Sequence, residues 1–163
     1  MPGPRLTVFG HLEELRRRIL WSVSAWLVAC VALWRSTPVA LDWLLAPLGQ
    51  PAVFLAPADA FLVTFKLNLV LGALVASPVI SWHAAAFLAP ALKQGERRAA
   101  VLAASAGLVS FFAGAWFAIR FLLPAMMGFL MSFATDRLVP QIAADRYFGF
   151  VIWTAAGCGV AAE

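Results

Sequence analysis

ILWSVSAWLVACVALW, residues 19 to 34, carries no charged side chain, yet it runs straight out of HLEELRRRIL, residues 11 to 20, whose first eight positions hold five charges and a histidine. As a helix at ~1.5 Å per residue the uncharged run spans about 24 Å, somewhat short of the ~30 Å hydrocarbon core of a bilayer. Arg18 and Arg35 bracket the run, so either they snorkel toward water or the bilayer thins around them. A dense polar knot set directly against an apolar segment is the pattern of a membrane helix with its orientation signal attached.

Composition points the same way. Of the 163 residues, 63% are hydrophobic and 12% charged, against roughly a quarter charged in soluble domains. Thirteen phenylalanines and seven tryptophans could fill a soluble core, but a chain this small would then lack the charge to cover its outside. The net charge of +4 is modest and its cations sit beside apolar runs, which indicates membrane orientation and excludes nucleic acid as a partner. Cys30 and Cys158 fall in uncharged segments with no second sulfur or histidine at ligand spacing, so they read as small apolar residues and no metal or other cofactor is expected. The N-terminal region fits a cleaved secretory signal poorly, because its positive region is long and the apolar run lacks a small-x-small exit; the first helix is expected to stay.

The fold class expected is an all-α, polytopic transmembrane protein forming a single domain. Residues 1–18 form an amphipathic start and 19–34 the first span. Residues 35–60, with four prolines, read as a loop capped by short interfacial turns. A second span covers 61–92, interrupted by Pro78 and Pro90, followed by the polar hinge KQGERR at 93–98. A third span covers 99–131, with a kink at Pro124; a second loop covers 132–146, and a fourth, incomplete span 147–163. With the N-terminus and the 93–98 hinge on one side, that side holds Arg5, Arg16, Arg17, Arg18, Lys93, Arg97 and Arg98, while the opposite loops hold Arg35, Arg137 and Arg146. The positive-inside rule then places the N-terminus in the cytoplasm.

On a helix, His11, Glu14, Leu15 and Arg18 share one face, and Arg16 and Arg17 point elsewhere. A solvated amphipathic start with an ordinary i, i+4 pair accounts for these residues taken alone, and a charged turn at the headgroups accounts for Glu96 with Arg97 and Arg98 in the hinge. His83 has no partner at ligand spacing and reads as a polar residue facing another helix, with pH sensing second. Trp43, Trp82, Trp116 and Trp153 read as interfacial or packing residues.

The same residues carry a family resemblance. HLEELRRRIL at 11–20 resembles the N-terminal signature of the TatC family, H-L-x-E-L-R-x-R-L. PADAF at 57–61 followed by Lys66 is similar to that family's P-x-E-x-F before a lysine, SPVI at 77–80 to its small-Pro-x-Ile, and FLAPAL at 87–92 with Glu96, Arg97 and Arg98 to its F-x-x-P-x-L…E-R segment. Gly114 and Pro124 fall where a third-helix glycine and a later proline are expected, and FGFVIW onward from Phe148 resembles a fourth helix ending at an intramembrane glutamate, Glu163. Asp59 stands in place of the usual glutamate, His83 where a glutamine is common, and Arg120 at a site more often aromatic or aliphatic. The family has six spans, so the resemblance implies that this sequence is a fragment or a truncated product ending within the fourth.

The resemblance implies the core subunit of the Sec-independent twin-arginine translocase of the bacterial cytoplasmic (inner) membrane: a receptor for signal peptides bearing consecutive arginines, which takes part in export of folded proteins driven by the proton motive force. No bond is made or broken, so no enzyme and no catalytic residue is implied. The implied partners are twin-arginine signal peptides, TatA- and TatB-type single-span subunits, further copies of the chain and membrane lipids. Carried over residue by residue, Glu14 and Glu96 face the two guanidinium groups, with His11, Arg16, Arg18, Phe87, Pro90 and Arg97 shaping the site; Lys66, Asp59 and Glu163 are the outer-edge or intramembrane polar residues, Lys66 lying near enough to Asp59 for an outer network. The chemistry suits this assignment, since guanidinium forks take carboxylates bidentately and two arginines need two acceptors from separate segments. The competing class is a fragment of a small-solute transporter or channel, which calls for ionisable residues meeting at mid-membrane or half-helices broken around a site. Only Pro78 hints at such a break.

Overall fold

A computed structural model describes residues 8–88, 94–135 and 141–163. Arg5, Lys93 and Arg137, used above for orientation, and Pro90 lie outside the described residues. The described chain is almost wholly helical: α1 (Val8–Leu33), α2 (Thr37–Leu45), α3 (Asp59–Leu88), α4 (Gln94–Phe117), α5 (Leu123–Met131) and α6 (Ala144–Ala161). Two stretches are long and apolar enough to cross a membrane, Asp59–Leu88 and Glu96–Met131, each with a mean hydropathy of 1.8; a third qualifies if α1 and α2, bent by 77°, count as one span.

The polar knot and the apolar run form one helix. α1 has 26 residues, because the arginines, glutamates and leucines ahead of the apolar run are good helix formers and nothing between Val8 and Leu33 breaks the ladder. It ends at a turn through Arg35 and Ser36, and Pro38 then sits in the first turn of α2, where its missing N–H costs nothing. The loop expected over residues 35–60 therefore needs correction: nine of its residues form α2, followed by a tight turn at Ala46–Leu48 that closes on Gly49 in a left-handed conformation (φ 67°). Of the prolines that suggested a loop, Pro38 lies in the first turn of α2 and Pro47 in the turn that follows it.

Pro78 likewise does not break α3, which runs 30 residues through it. A proline leaves the carbonyl four residues earlier without its donor, and here the Ser77 hydroxyl donates to that Leu74 carbonyl at 2.7 Å. Near Pro124 the chain passes through a π-helical turn at Ala118–Leu122 in which the Leu123 N–H donates to the Ala118 carbonyl, so α4 and α5 remain one 36-residue stretch from Glu96 to Met131.

The helices pair antiparallel, α1 on α3 and α4 on α6. Along the first pair the Trp26 indole donates to the Leu69 carbonyl at 3.0 Å, and Cys30 lies against Gly72 so closely that a side chain at residue 72 would strike its sulfur. Asn68, buried between the two, donates to the Cys30 carbonyl at 3.1 Å and to the Thr37 hydroxyl at 2.9 Å, while that hydroxyl donates to the Leu33 carbonyl at 3.0 Å. This buried chain of bonds ties the α1–α2 bend to the middle of α3. Along the second pair, Gly114 lets the Cys158 carbonyl approach to where a Cβ would meet it at 2.5 Å, and Gly159 sits under Phe111.

One apolar core closes the far end of the bundle. Leu44, Leu48, Val63, Leu67, Leu123, Met127, Tyr147, Phe148 and Val151 come together there from five segments. The Tyr147 hydroxyl reaches back to the Leu44 carbonyl at 2.8 Å, and Val53 bonds both to Ile142 and to Ala144 in a short parallel bridge.

Candidate functional site

The other end of the bundle is where α1 begins, α3 ends and α4 begins. His11 in the first turns of α1 stacks on Phe87 near the end of α3, ring centroids 4.3 Å apart and planes 18° from parallel. The last turns of α3 and the first turns of α4 line a common groove through Ala84, Ala85, Leu88, Ala100 and Ala104. Glu96 stands exposed in the first turn of α4, where the helix macrodipole favours a carboxylate, with Arg97 and Arg98 exposed beside it.

Glu14 lies one turn along α1 from His11 and is partly buried, as is Arg18. Arg18 donates to Glu14 Oε1 twice, from Nε at 3.0 Å and from Nη2 at 2.5 Å. The hydrogen bond from Arg18 holds the Glu14 carboxyl below its ordinary pKa of 4.5, with smaller help from the nearby charges of Arg18, His11 and Arg17 against a desolvation effect of opposite sign. Arg16 and Arg17 are exposed. Together with Gly10, Glu13, Glu14 and Leu20 they line an open groove of about 500 Å³. His11, Glu14, Arg18 and Phe87 are thus brought to one end of the bundle, Glu96 and Arg97 follow at the start of α4, and Pro90 lies outside the described residues.

Of the remaining polar residues singled out from the sequence, Asp59 and Lys66 lie at the other end of the bundle. Asp59 does not join Lys66: its carboxylate accepts from the Leu55 and Ala56 amides at 2.9 and 2.8 Å and so ties down the chain entering α3. Lys66 pairs instead with Asp145 at the start of α6, 2.5 Å away with both side chains about half exposed. Spacing along the chain could not reveal that partner, which lies 79 residues away. Glu163 rests its carboxylate against Gly107 and lines the groove already described between α3 and α4, about 470 Å³ in all, where it continues past Ser77, Ser81, Leu108 and Phe111. His83 is on α3 with its Nδ1 buried and without a hydrogen-bond partner among the described residues. Asn68 escaped notice, although it is the chain's one asparagine and stands in an uncharged run, where an amide commonly bonds across helices.

This arrangement coincides with a family pattern over nearly the whole chain. A family model described as Sec-independent protein translocase protein (TatC) matches residues 10–163. The chain belongs to the TatC family. A Sec-independent protein translocase protein TatC from Synechocystis sp. is 35% identical over 96% of the chain and 62% of its own length, and one from Carboxydothermus hydrogenoformans is 32% identical over 93% and 64%. A crystal structure of a twin arginine translocase receptor, TatC, superposes with a TM-score of 0.80 at 29% identity, over 94% of this chain and 70% of that one. The chain therefore spans less than two thirds of the length of these curated relatives. As a TatC-family chain it is a polytopic helical membrane protein, and the His11–Phe87 stack and the Glu14–Arg18 pair both lie within the matched region.

Proposed function

We propose that this chain serves, as a subunit of a Sec-independent twin-arginine protein translocase, to receive signal peptides with paired arginines at the cytoplasmic face of a bacterial inner membrane. Its role is in proton-motive-force-driven export of folded proteins. Glu14 and Glu96 are the two carboxylates that meet the paired guanidinium groups. His11, Phe87, Pro90, Arg16, Arg18 and Arg97 shape the site around them.

The observation that carries this reading is the His11–Phe87 stack at 4.3 Å, which holds the Glu14 turn of α1 against the end of α3, nine residues before Glu96. The two carboxylates come from separate segments, Glu14 from α1 and Glu96 from the first turn of α4. Arg16 and Arg17, both exposed, would repel a dicationic ligand unless they turn toward lipid phosphates, which the helical phase of Arg16 opposite Glu14 permits. The partners that go with this role are TatA- and TatB-type single-span subunits, further copies of the chain, and the lipids around it. Lys66, Asp59 and Glu163 belong to the outer edge and the bilayer interior, away from the peptide's arginines.

A signal peptide carrying a photo-reactive group beside its paired arginines tests the assignment. It should label residues near Glu14 and Glu96, and Glu14→Ala or Glu96→Ala should each weaken labelling. Equal labelling by a Lys-Lys version would overturn a guanidinium-specific site.

A further inference from the structure

The Glu14 carboxylate is already occupied. Both donors of Arg18 converge on Oε1, and Oε2 takes no hydrogen bond from the described residues. A carboxylate has about four acceptor positions, so one oxygen is engaged by a guanidinium while the other stays open to a second donor. The resident group has the same chemistry as the group the site is read to receive.

We propose that Arg18 is a built-in competitor: it holds Glu14 in the empty protein, and a ligand arginine displaces it in a guanidinium-for-guanidinium exchange. This rests on the peptide-binding role given above for Glu14. The incoming guanidinium lands on the open Oε2 and then replaces Arg18 at Oε1, while the released Arg18, partly exposed and on a flexible stem, swings toward water or lipid phosphate. The internal pair keeps Glu14 ionised and oriented in the absence of ligand. It also sets a threshold. A ligand arginine replaces the lost contact like for like, whereas a lysine brings a compact point charge without the planar fork and recovers less of it. Arg18 therefore sets, by competing with the ligand, the threshold that a ligand cation must exceed.

The test compares Arg18→Gln and Arg17→Gln in the whole chain reconstituted in nanodiscs, titrated with an Arg-Arg signal peptide and with its Lys-Lys counterpart. Both variants lose one cation from the same helix turn, but Arg17 makes no hydrogen bond to Glu14. Competition requires Arg18→Gln to bind the Arg-Arg peptide roughly two- to fivefold more tightly than Arg17→Gln does, and to bind the Lys-Lys peptide with a similar gain, because the cost of releasing Arg18 is common to both ligands. Arg18→Lys should fall between wild type and Arg18→Gln. As a check that needs no variant, the Nε–Hε resonance of Arg18 in the wild-type protein should shift and exchange faster with solvent when the Arg-Arg peptide is added. Equal affinities in the two glutamine variants, weaker binding in Arg18→Gln, or an Arg18 resonance unmoved by saturating peptide would each overturn the exchange. If wild type binds the peptide and Glu14→Ala abolishes it while any of those results is found, only the exchange falls. If wild type shows no binding, the peptide-receptor role falls and the exchange falls with it.

Discussion

At the scale of single residues, the sign of the Glu14 shift has a measurable consequence. Its carboxyl titrates below 4.5 because Arg18 donates to the ionised form, so the pair's contribution is fully present above that ordinary value and is lost as pH falls through the lowered one. Binding of an Arg-Arg peptide, followed by fluorescence from neutral pH into acid, should accordingly weaken only in acid, as the lowered Glu14 carboxyl takes up its proton. Asn68 makes a second claim at this scale. Its amide bonds to both Cys30 and Thr37 in a buried position, and Asn68→Leu removes these bonds while keeping the volume similar. The variant should be less stable by about 1–2 kcal/mol in denaturation followed by circular dichroism in detergent, since the Cys30 carbonyl and Thr37 hydroxyl are left short of partners in a dry site. Neither consequence was legible from spacing alone. Glu14 and Arg18 could be placed on one helical face from the sequence, but Asn68 acts across helices, and its partner Thr37 lay within a stretch read as loop.

At the scale of helices, small residues set how closely the elements approach. A Cβ at Gly114 would come within 2.5 Å of the Cys158 carbonyl, and a backbone atom cannot swing aside as a side chain can. Gly114→Ala should therefore separate α4 from α6 and cost about 1–3 kcal/mol, read as a lower melting temperature and as loss of a disulfide engineered between positions 110 and 162, where Ser110 now donates to the Ala162 carbonyl at 2.6 Å. The ties at the far end differ in worth. The half-exposed Lys66–Asp145 pair should change stability by less than ~1 kcal/mol in Lys66→Ala, because solvent screens it. Tyr147→Phe, which removes a bond from a buried hydroxyl to Leu44, should cost about 1 kcal/mol in the same melting assay. Helix existence was legible here, since long uncharged runs allow nothing else in lipid. Helix continuity was not. Pro78 and Pro124 read as interruptions, but Ser77 satisfies the carbonyl freed by the first, and a π turn precedes the second.

At the scale of the whole molecule, the starts of α1 and α4 share one end of the bundle with the end of α3, while α2, the start of α3 and the start of α6 share the other. In a Cys30→Ala, Cys158→Ala background, single cysteines at Glu13 and Arg98 should react with a membrane-impermeant maleimide only from the cytoplasmic side, and those at Asp42 and Arg146 only from the opposite side. Reaction of the first two from the outside would overturn the orientation and the receptor role together. The class of solvent, the helical class and the end of the molecule richest in cations follow from composition, run length and charge placement, because hydrophobic burial and the membrane's charge asymmetry act on local segments whatever their neighbours. The partners of Asn68, Lys66 and Tyr147, and the contact of His11 with Phe87, emerged from the packed helices alone. Each joins groups 31 to 103 residues apart, and such distances are closed by the register of one helix against another, which no local pattern encodes.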